Sequence, residues 1–363
     1  MGNPTRLGYF DMLRAVAAMS VVITHMLART SPAFREFRMS LFDPGCFGVT
    51  LFFLCSGYVI PRSIERADSI SAGLVRFWVK RLLRLYPAYW VSVVLIVGCY
   101  LAGIAQPPGD GTINASQILV QLTMLEKFFG QPYFLVVYWT LTYEIIFYVA
   151  VSALFATRTL QHTAMIVTVL TAASVCCDAV LPAFGFVPVH SGLLSFLSIM
   201  FCGTLVYRWR SGVLPGWQVA GIVGLNLLAF WLISWATGVR VGNPWARLHQ
   251  MSGYAAGLTV FAATVLWEPQ RIPRVLLWLG TISYSIYLLH TIVLAVVPEA
   301  AAAPVSWMLW TAVTILASAV CHAAVERPGM ELGTRLAAAL AGQPGDRDSA
   351  LQQAAMPERS AVR

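Results

Sequence analysis

The sequence predicts an all-α protein, a polytopic bundle of about ten transmembrane helices. Of the 363 residues, 58% are hydrophobic and only 11% are charged, and the mean hydropathy is +0.71. A soluble domain of this length needs a larger share of charged surface. Apolar runs of about 20 residues, the length that crosses a ~30 Å hydrocarbon layer, recur along the chain. No long polar linker divides them, so we expect one membrane domain over residues 1–328.

The expected spans follow one another through short loops, and a polar tail follows the last of them. Boundaries derived from pattern alone are good to about 2–4 residues. The first span is long and contains Arg14, so we expect it to remain as an anchor and not to be cleaved as a signal peptide. Residues 329–363 are expected to form a cytoplasmic tail that is largely disordered. The approximate limits of the spans are 8–27, 46–64, 86–104, 132–156, 160–182, 191–209, 214–237, 250–267, 275–297 and 304–325.

The basic residues predict the orientation of the bundle. Most of the 24 lysines and arginines fall on one side of the expected spans. Because basic loops stay in the cytoplasm, both termini are predicted to lie there. The net charge of +8 is spread over these loops, and no soluble basic domain of the kind that binds nucleic acid is present. The seven cysteines show no metal-ligand spacing with histidine, so packing roles are expected for them and no metal site.

The first span contains two ionisable residues, Arg14 and His25. Eleven residues apart, they return to nearly the same helical face and lie roughly 16 Å apart along the axis. Ionisable groups inside a membrane are functional candidates, and a neutral imidazole can accept a proton from a hydroxyl, as a general base must. The alternative is structural, with His25 bonded to a neighbouring helix and Arg14 extended to the interface.

A basic stretch precedes the third expected span. Arg76, Lys80 and Arg84 recur every four residues, and Arg81 lies beside them, which predicts a helix with one cationic face. A guanidinium matches phosphate oxygens bidentately, so this face suits a phosphorylated ligand. The alternative is an interfacial helix that is attracted to anionic lipid.

Two later spans each carry one ionisable residue, Glu144 in the fourth and His290 in the ninth. Counted from the span limits, Glu144 lies about 12 Å and Arg14 about 9 Å from the inner face, so the two can pair. A protonated, hydrogen-bonded carboxyl is the alternative. His290 and His25 lie about 22 and 25 Å from the same face, so the two imidazoles are expected at one level. A lone His290 is otherwise an interhelical hydrogen-bonding residue.

Five motifs in this order resemble the acyltransferase-3 family of integral-membrane acyltransferases, over about residues 8 to 328. They are Asp11 with Leu13-Arg14 and His25, Gly48-Val49 with Phe52-Phe53 and Ser56-Gly57, Arg81 with Arg84, Pro87 and Tyr89, Trp139 to Tyr148, and Leu279 to His290. The Trp139 to Tyr148 motif is similar to that of the exopolysaccharide branch, whose members acetylate xanthan-type polymers. Ile145 and Ile146 stand where many relatives have a second Glu and a Gln, which removes any relay through adjacent carboxylates.

The resemblance implies an O-acyltransferase of the bacterial inner membrane that moves an acetyl group to a hydroxyl of an exopolysaccharide or its lipid-linked precursor. It implies acetyl-CoA as a cosubstrate and no permanently bound cofactor. A carbohydrate acceptor, membrane lipid and polysaccharide assembly proteins are the expected partners.

The expected site divides into a donor-binding group and a catalytic group. The resemblance implies that Arg14, His25, Glu144 and the pair Arg81 and Arg84 matter. The residues themselves suggest that His25 acts as the base and that the basic face holds the CoA phosphates. A transient acyl-His25 intermediate stays open. The catalytic candidates are His25, Arg14, Glu144 and His290, and the CoA-binding candidates are Arg76, Lys80, Arg81 and Arg84.

Two other classes of protein remain as alternatives. Polar residues near the middle of a bundle also suit a glycolipid or polysaccharide transporter or flippase. Against it, the spans show no internal pseudo-symmetry, and the basic cluster is one-sided. A scaffold for polysaccharide assembly would leave Arg14 and Glu144 without a use.

Overall fold

The predicted all-α class is confirmed. The computed structural model describes residues 8–65, 69–109, 111–186, 192–243, 245 and 247–340, and within these ranges every regular element is a helix. The α-helices are α1 (Gly8–Thr30), α2 (Pro32–Ser40), α3 (Pro44–Ile64), α4 (Ile70–Leu101), α5 (Ala115–Gln121), α6 (Trp139–Ala156), α7 (Thr163–Val175), α8 (Leu181–Ala183), α9 (Leu193–Arg210), α10 (Gly216–Arg240), α11 (Leu248–Trp267), α12 (Arg274–Thr281), α13 (Ser283–Val296), α14 (Ala303–Cys321) and α15 (Arg327–Leu340).

A helix lies at each of the ten expected spans, but the count of ten crossings is not confirmed. Among the described residues, 7 stretches are long and apolar enough to cross a membrane, or up to 8 if α12 and α13 together form one crossing. The helices α9 and α11 form where spans were expected, yet they are not among the stretches that qualify. The chain is therefore a multi-pass membrane protein.

The helix α3 lies at the centre of the bundle, where it packs on α1, α9 and α11. Two glycines permit its contact with α9. A Cβ at Gly57 would lie 1.7 Å from the Met200 carbonyl oxygen, and one at Gly203 would lie 2.3 Å from that of Leu54. Small residues of this kind let membrane helices approach closely. The Thr204 hydroxyl then donates to the Gly57 carbonyl at 2.8 Å, which fixes the register of the two helices.

The basic stretch and the third expected span form one continuous helix, α4, of 32 residues. Pro87 lies inside this helix, where it removes the hydrogen bond that the Leu83 carbonyl would accept. Gly329 of α15 packs directly over that carbonyl, since a Cβ there would lie only 2.5 Å from the Leu83 oxygen. The interfacial segment and the span were therefore wrongly divided, and the cationic face continues into the bundle.

The ninth expected span is broken at Ile282, where α12 and α13 meet at an angle of 72°. The Ser283 hydroxyl donates to the Gly280 carbonyl at 2.8 Å at this bend. Gly280 itself packs on α1, because a Cβ there would lie 1.9 Å from the Asp11 carbonyl oxygen. The bend keeps α12 against the start of α1 while α13 follows α1 toward its other end.

The chain remains helical beyond the domain boundary expected at residue 328. The helix α15 begins at Arg327, ends at Leu340 and packs against α4. The part of the expected tail from 329 to 340 is thus a packed helix and not a disordered segment. Residues 341–363 lie outside the described residues.

Candidate active site

Three neighbouring cavities are lined by seven of the eight predicted site residues, and the eighth, His290, lies behind His25 and lines none of them. The basic cavity, about 290 Å³, is lined by α4 and α15. The central cavity, about 70 Å³, lies between α1, α3, α4, α6 and α13. The histidine cavity, about 290 Å³, lies at the other end of α1. The structure thus distributes the predicted residues along a row of cavities, with the four basic residues at one end, Arg14 and Glu144 in the middle and the histidine pair at the other end.

The basic cavity collects the cationic face of α4. Arg76, Lys80, Arg81 and Arg84 all line it, as the four-residue spacing predicted. The opposite wall includes Met330 and Thr334 of α15, which the sequence analysis had placed in a disordered tail. Four cations around one concave surface form a site for a polyanion.

Arg81 and Arg84 line both the basic and the central cavity, so the two cavities adjoin. The Arg81 guanidinium lies over the rings of Phe77 and Tyr148, 5.7 Å from each centroid. Such cation–π contacts hold a guanidinium in place without neutralising its charge.

The central cavity contains Arg14 and Glu144, but the ion pair that the sequence allowed between them is not formed. Arg14 pairs instead with Asp11, one helical turn earlier, at 3.7 Å. The Tyr148 hydroxyl donates to Oε1 of Glu144 at 2.6 Å, and the Ser56 hydroxyl lies 3.5 Å from the same oxygen. The carboxylate is held by a hydroxyl on its own helix, so the Arg14 guanidinium and Glu144 both remain in the cavity wall.

His25 and His290 lie side by side, which confirms that the two imidazoles share one level. Nδ1 of His25 is 2.8 Å from Nε2 of His290. The rings are within 8° of parallel, with centroids 5.1 Å apart. His290 is fully buried, whereas His25 is partly exposed and lines the histidine cavity.

The histidine cavity also contains polar residues that sequence reasoning missed, namely Arg38, Asp43 and Gln250. Asp43 caps α3, because its Oδ1 accepts from the backbone N–H of Gly45 at 2.8 Å. Its second oxygen pairs with Arg38 Nε at 3.2 Å. Polar and charged residues are common near helix ends, so the types and positions of these three residues did not indicate that they line a cavity. The Asp43-Pro44 dipeptide predicts that a helix begins there, but it does not predict a cavity beside it.

The central and histidine cavities share three lining residues, Val49, Phe53 and Tyr287. The Tyr287 hydroxyl lies 2.7 Å from the Thr140 hydroxyl, which ties α13 to α6 at this point. A partition of single side chains therefore separates the two cavities, and the three cavities form one row through the bundle.

Glu326 is a buried carboxylate away from the cavities. It accepts from the Ser285 hydroxyl at 2.8 Å and lies 3.0 Å from Nδ1 of His322. These contacts join the end of α14 to α13, so the acidic residue that ends the last expected span anchors the bent helix.

Comparison with known proteins gives a consistent family. A family model described as an acyltransferase domain matches residues 7–325. The chain is similar to nodulation protein 10 of Rhizobium leguminosarum bv. viciae, with 27% identity over 91% of this chain and 95% of that protein. It is also similar to exopolysaccharide production protein ExoZ of Rhizobium meliloti, with 28% identity over 84% of this chain and 96% of that protein.

A third relative extends beyond the region of similarity. The putative peptidoglycan O-acetyltransferase YrhL of Bacillus subtilis is 26% identical over 90% of this chain but only 55% of its own length. No solved structure matches this chain. The similarity therefore lies in the helical domain that holds the three cavities.

Proposed function

This chain belongs to the acyltransferase-3 family of integral-membrane acyltransferases, and we propose that it transfers an acetyl group from acetyl-CoA to a hydroxyl of a bacterial exopolysaccharide or of its lipid-linked precursor. The row of three cavities is the observation that supports this function best. Its cationic end suits a nucleotide donor, and its other end presents a histidine to a polar cavity. Two of the relatives are named for exopolysaccharide production and for peptidoglycan O-acetylation.

The donor enters at the basic cavity in this proposal. The CoA phosphates cannot enter hydrocarbon, and they bind Arg76, Lys80 and Arg84 at its wall. The uncharged pantetheine arm passes Arg81 and extends along the central cavity. Because basic loops mark the cytoplasmic side, this end of the bundle faces the cytoplasm of a bacterial inner membrane, and both termini lie there.

The acceptor binds in the histidine cavity. Asp43, Arg38 and Gln250 offer acceptors and donors for sugar hydroxyls, and Trp139 adds an aromatic wall. Hydroxyl-rich ligands need such convergent polar groups beside apolar surface. The cavity lies at the end of α1 away from Arg14, so the acceptor arrives from the side opposite to the donor.

The reaction then takes place at the partition between the central and histidine cavities. His25 removes the proton from the acceptor hydroxyl as its oxygen attacks the thioester carbonyl. The carbon–sulfur bond breaks, the acetyl group stays on the acceptor oxygen, and the CoA thiolate takes the proton from His25. Arg14 and Glu144, which line the central cavity, bind the polar groups of the pantetheine arm and so orient the thioester toward the partition.

A transporter or flippase is not favoured by the family or by its relatives. The cavities also differ in character, because four cations line one end, whereas His25 lines the other. Transporters built from repeats place related groups on both sides of a midplane site. The asymmetry fits a donor and an acceptor that are chemically different.

The proposal is tested with purified protein in nanodiscs, labelled acetyl-CoA and candidate glycans. His25→Ala is expected to abolish transfer while CoA still binds. The double variant Arg76→Gln with Lys80→Gln is expected to raise the KM for acetyl-CoA about tenfold and to leave kcat within about threefold, since it removes two phosphate contacts. Arg271→Gln, an exposed arginine outside the three cavities, serves as the matched control. The proposal fails if the wild type binds no CoA, or if the effects of the two variants are exchanged.

A further inference from the structure

His290 is the one predicted catalytic residue that touches none of the three cavities. It lies in α13 with no exposed surface, and the lining of the histidine cavity includes His25 but not His290. Because substrate cannot reach it, His290 acts through His25 or has no part in the chemistry. The hydrogen bonds of the pair decide between these possibilities.

The contacts of His290 assign its tautomer. Its Nδ1 lies 3.1 Å from the carbonyl oxygen of Ile286. A carbonyl can only accept a hydrogen bond, so Nδ1 carries the hydrogen. A neutral imidazole has a single N–H, which leaves Nε2 of His290 as an acceptor.

The same logic assigns the tautomer of His25. Its Nδ1 is 2.8 Å from Nε2 of His290, closer than the ~3.5 Å at which stacked carbon atoms touch, so the parallel rings meet through an in-plane hydrogen bond. Since Nε2 of His290 accepts, Nδ1 of His25 must donate. The lone pair of His25 is therefore on Nε2, for which the described part of the chain offers no hydrogen-bond partner.

We propose that His290 is a positioning residue that holds His25 in the tautomer whose Nε2 accepts the proton of the acceptor hydroxyl. This inference rests on the proposed function, which makes His25 the base. During transfer the proton moves from the hydroxyl oxygen to Nε2 of His25 and then to the CoA sulfur. His290 neither gains nor loses a proton, and it accepts throughout from Nδ1–H of His25, which becomes charge-assisted while His25 is an imidazolium. A buried partner of a catalytic histidine has this role in serine proteases, where removing its acceptor function lowers kcat about 10⁴-fold.

Two substitutions of His290 separate positioning from packing. The Gln side chain places an oxygen near the position of Nε2 and accepts from His25, whereas Leu fills the apolar space and accepts nothing. His290→Leu is expected to lower kcat on the order of 10²-fold or more, with the KM for acetyl-CoA within about threefold. His290→Gln is expected to retain kcat within about tenfold of wild type. The thermal stability should rank in the order opposite to kcat, with His290→Leu more stable than His290→Gln, since Leu suits an apolar interior better.

A spectroscopic measurement tests the tautomer without reference to activity. The ring nitrogens of ¹⁵N-histidine-labelled wild type, assigned by comparison with His25→Gln, are expected to show a protonated Nδ1 and an unprotonated Nε2 for His25. His162→Gln, an exposed histidine, is the control for assignment and activity. A hydrogen on Nε2 of His25, or equal kcat values for the Leu and Gln variants, would overturn the inference. Loss of acetyl transfer by the wild type itself would refute the proposed function but would leave the tautomer assignment standing.

Discussion

Gly329→Ala is expected to loosen the helix that closes the basic cavity. The added Cβ would lie 2.5 Å from the Leu83 carbonyl oxygen and 3.2 Å from Cγ of Pro87. A carbon and a carbonyl oxygen normally approach no closer than ~3.3 Å, so α15 must move by about 1 Å. The Leu83 carbonyl has no helical partner because Pro87 lacks an N–H, and it cannot shift without distorting α4.

The magnitude follows from two opposing terms. Replacing Gly by Ala within a helix stabilises it by about 0.5–1 kcal/mol, whereas overpacking costs about 1–3 kcal/mol. We expect a net loss of about 1–2 kcal/mol in the free energy of unfolding. Because Met330 and Thr334 move with α15, the KM for acetyl-CoA should rise about threefold to tenfold, equivalent to about 1 kcal/mol.

The matched control is Gly224→Ala in α10, where an added Cβ meets nothing within 4 Å. This control should raise the thermal midpoint slightly and leave the KM unchanged. The assays are thermal unfolding in detergent and initial rates at varied acetyl-CoA concentration. If Gly329→Ala gains stability like the control and keeps its KM for acetyl-CoA, the close packing of α15 on α4 at Gly329 is refuted.

Three further predictions concern the cavities and the loop between α5 and α6. Tyr148→Phe removes the 2.6 Å hydrogen bond to Glu144. It should lower kcat/KM about tenfold, because a hydrogen bond to a charged group contributes about 1.5–3 kcal/mol. An unchanged kcat/KM would show that Glu144 does not need this hydrogen bond for its role. Asp43→Asn weakens the ion pair with Arg38. It should raise the KM for the glycan acceptor severalfold and leave the KM for acetyl-CoA constant. Equal changes in the two KM values would contradict separate binding sites for acceptor and donor. Burial raises the pKa of Glu126, so at a pH between the ordinary and the raised pKa the folded protein keeps the carboxyl proton that the unfolded chain has lost. The free energy of unfolding should therefore fall as pH rises from the ordinary carboxyl range toward the raised pKa. Glu126→Gln should remove that fall, as measured by thermal midpoints between pH 4 and 7.

The sequence predicted the helices well because their signal is local. Apolar runs of membrane length fix where helices form, whatever they pack against. The bend at Ile282 was missed because no proline marks it, and it depends on Gly280 packing against α1. Residues 329–340, in which only Glu331, Thr334 and Arg335 have polar side chains, were grouped with the polar stretch that follows them, and their partner on α4 is more than 240 residues away in the sequence.

The site was predictable where a residue is out of place in a membrane. Arg14, Glu144 and His25 stood out because ionisable groups are rare inside apolar spans. Arg38, Asp43 and Gln250 did not, since polar residues are common at helix ends. The possible pair between Arg14 and Glu144 is not formed, because Asp11, three residues before Arg14 on the same helix, pairs with the guanidinium instead. Estimates of height along a span show which residues share a level, but they do not decide between two possible partners.

The partition at Val49, Phe53 and Tyr287 has an electrical consequence. With donor and acceptor on opposite sides, as proposed, the hydroxyl's proton finishes on the CoA sulfur, and the acetyl group takes the proton's place on the acceptor oxygen. The acceptor is neutral before and after transfer, and the charge of CoA does not change when its thioester becomes a thiol, so a turnover carries no net charge across the wall. A membrane potential does work only on charge that crosses the field. Collapse of the potential by an ionophore should therefore leave the rate of sugar acetylation unchanged.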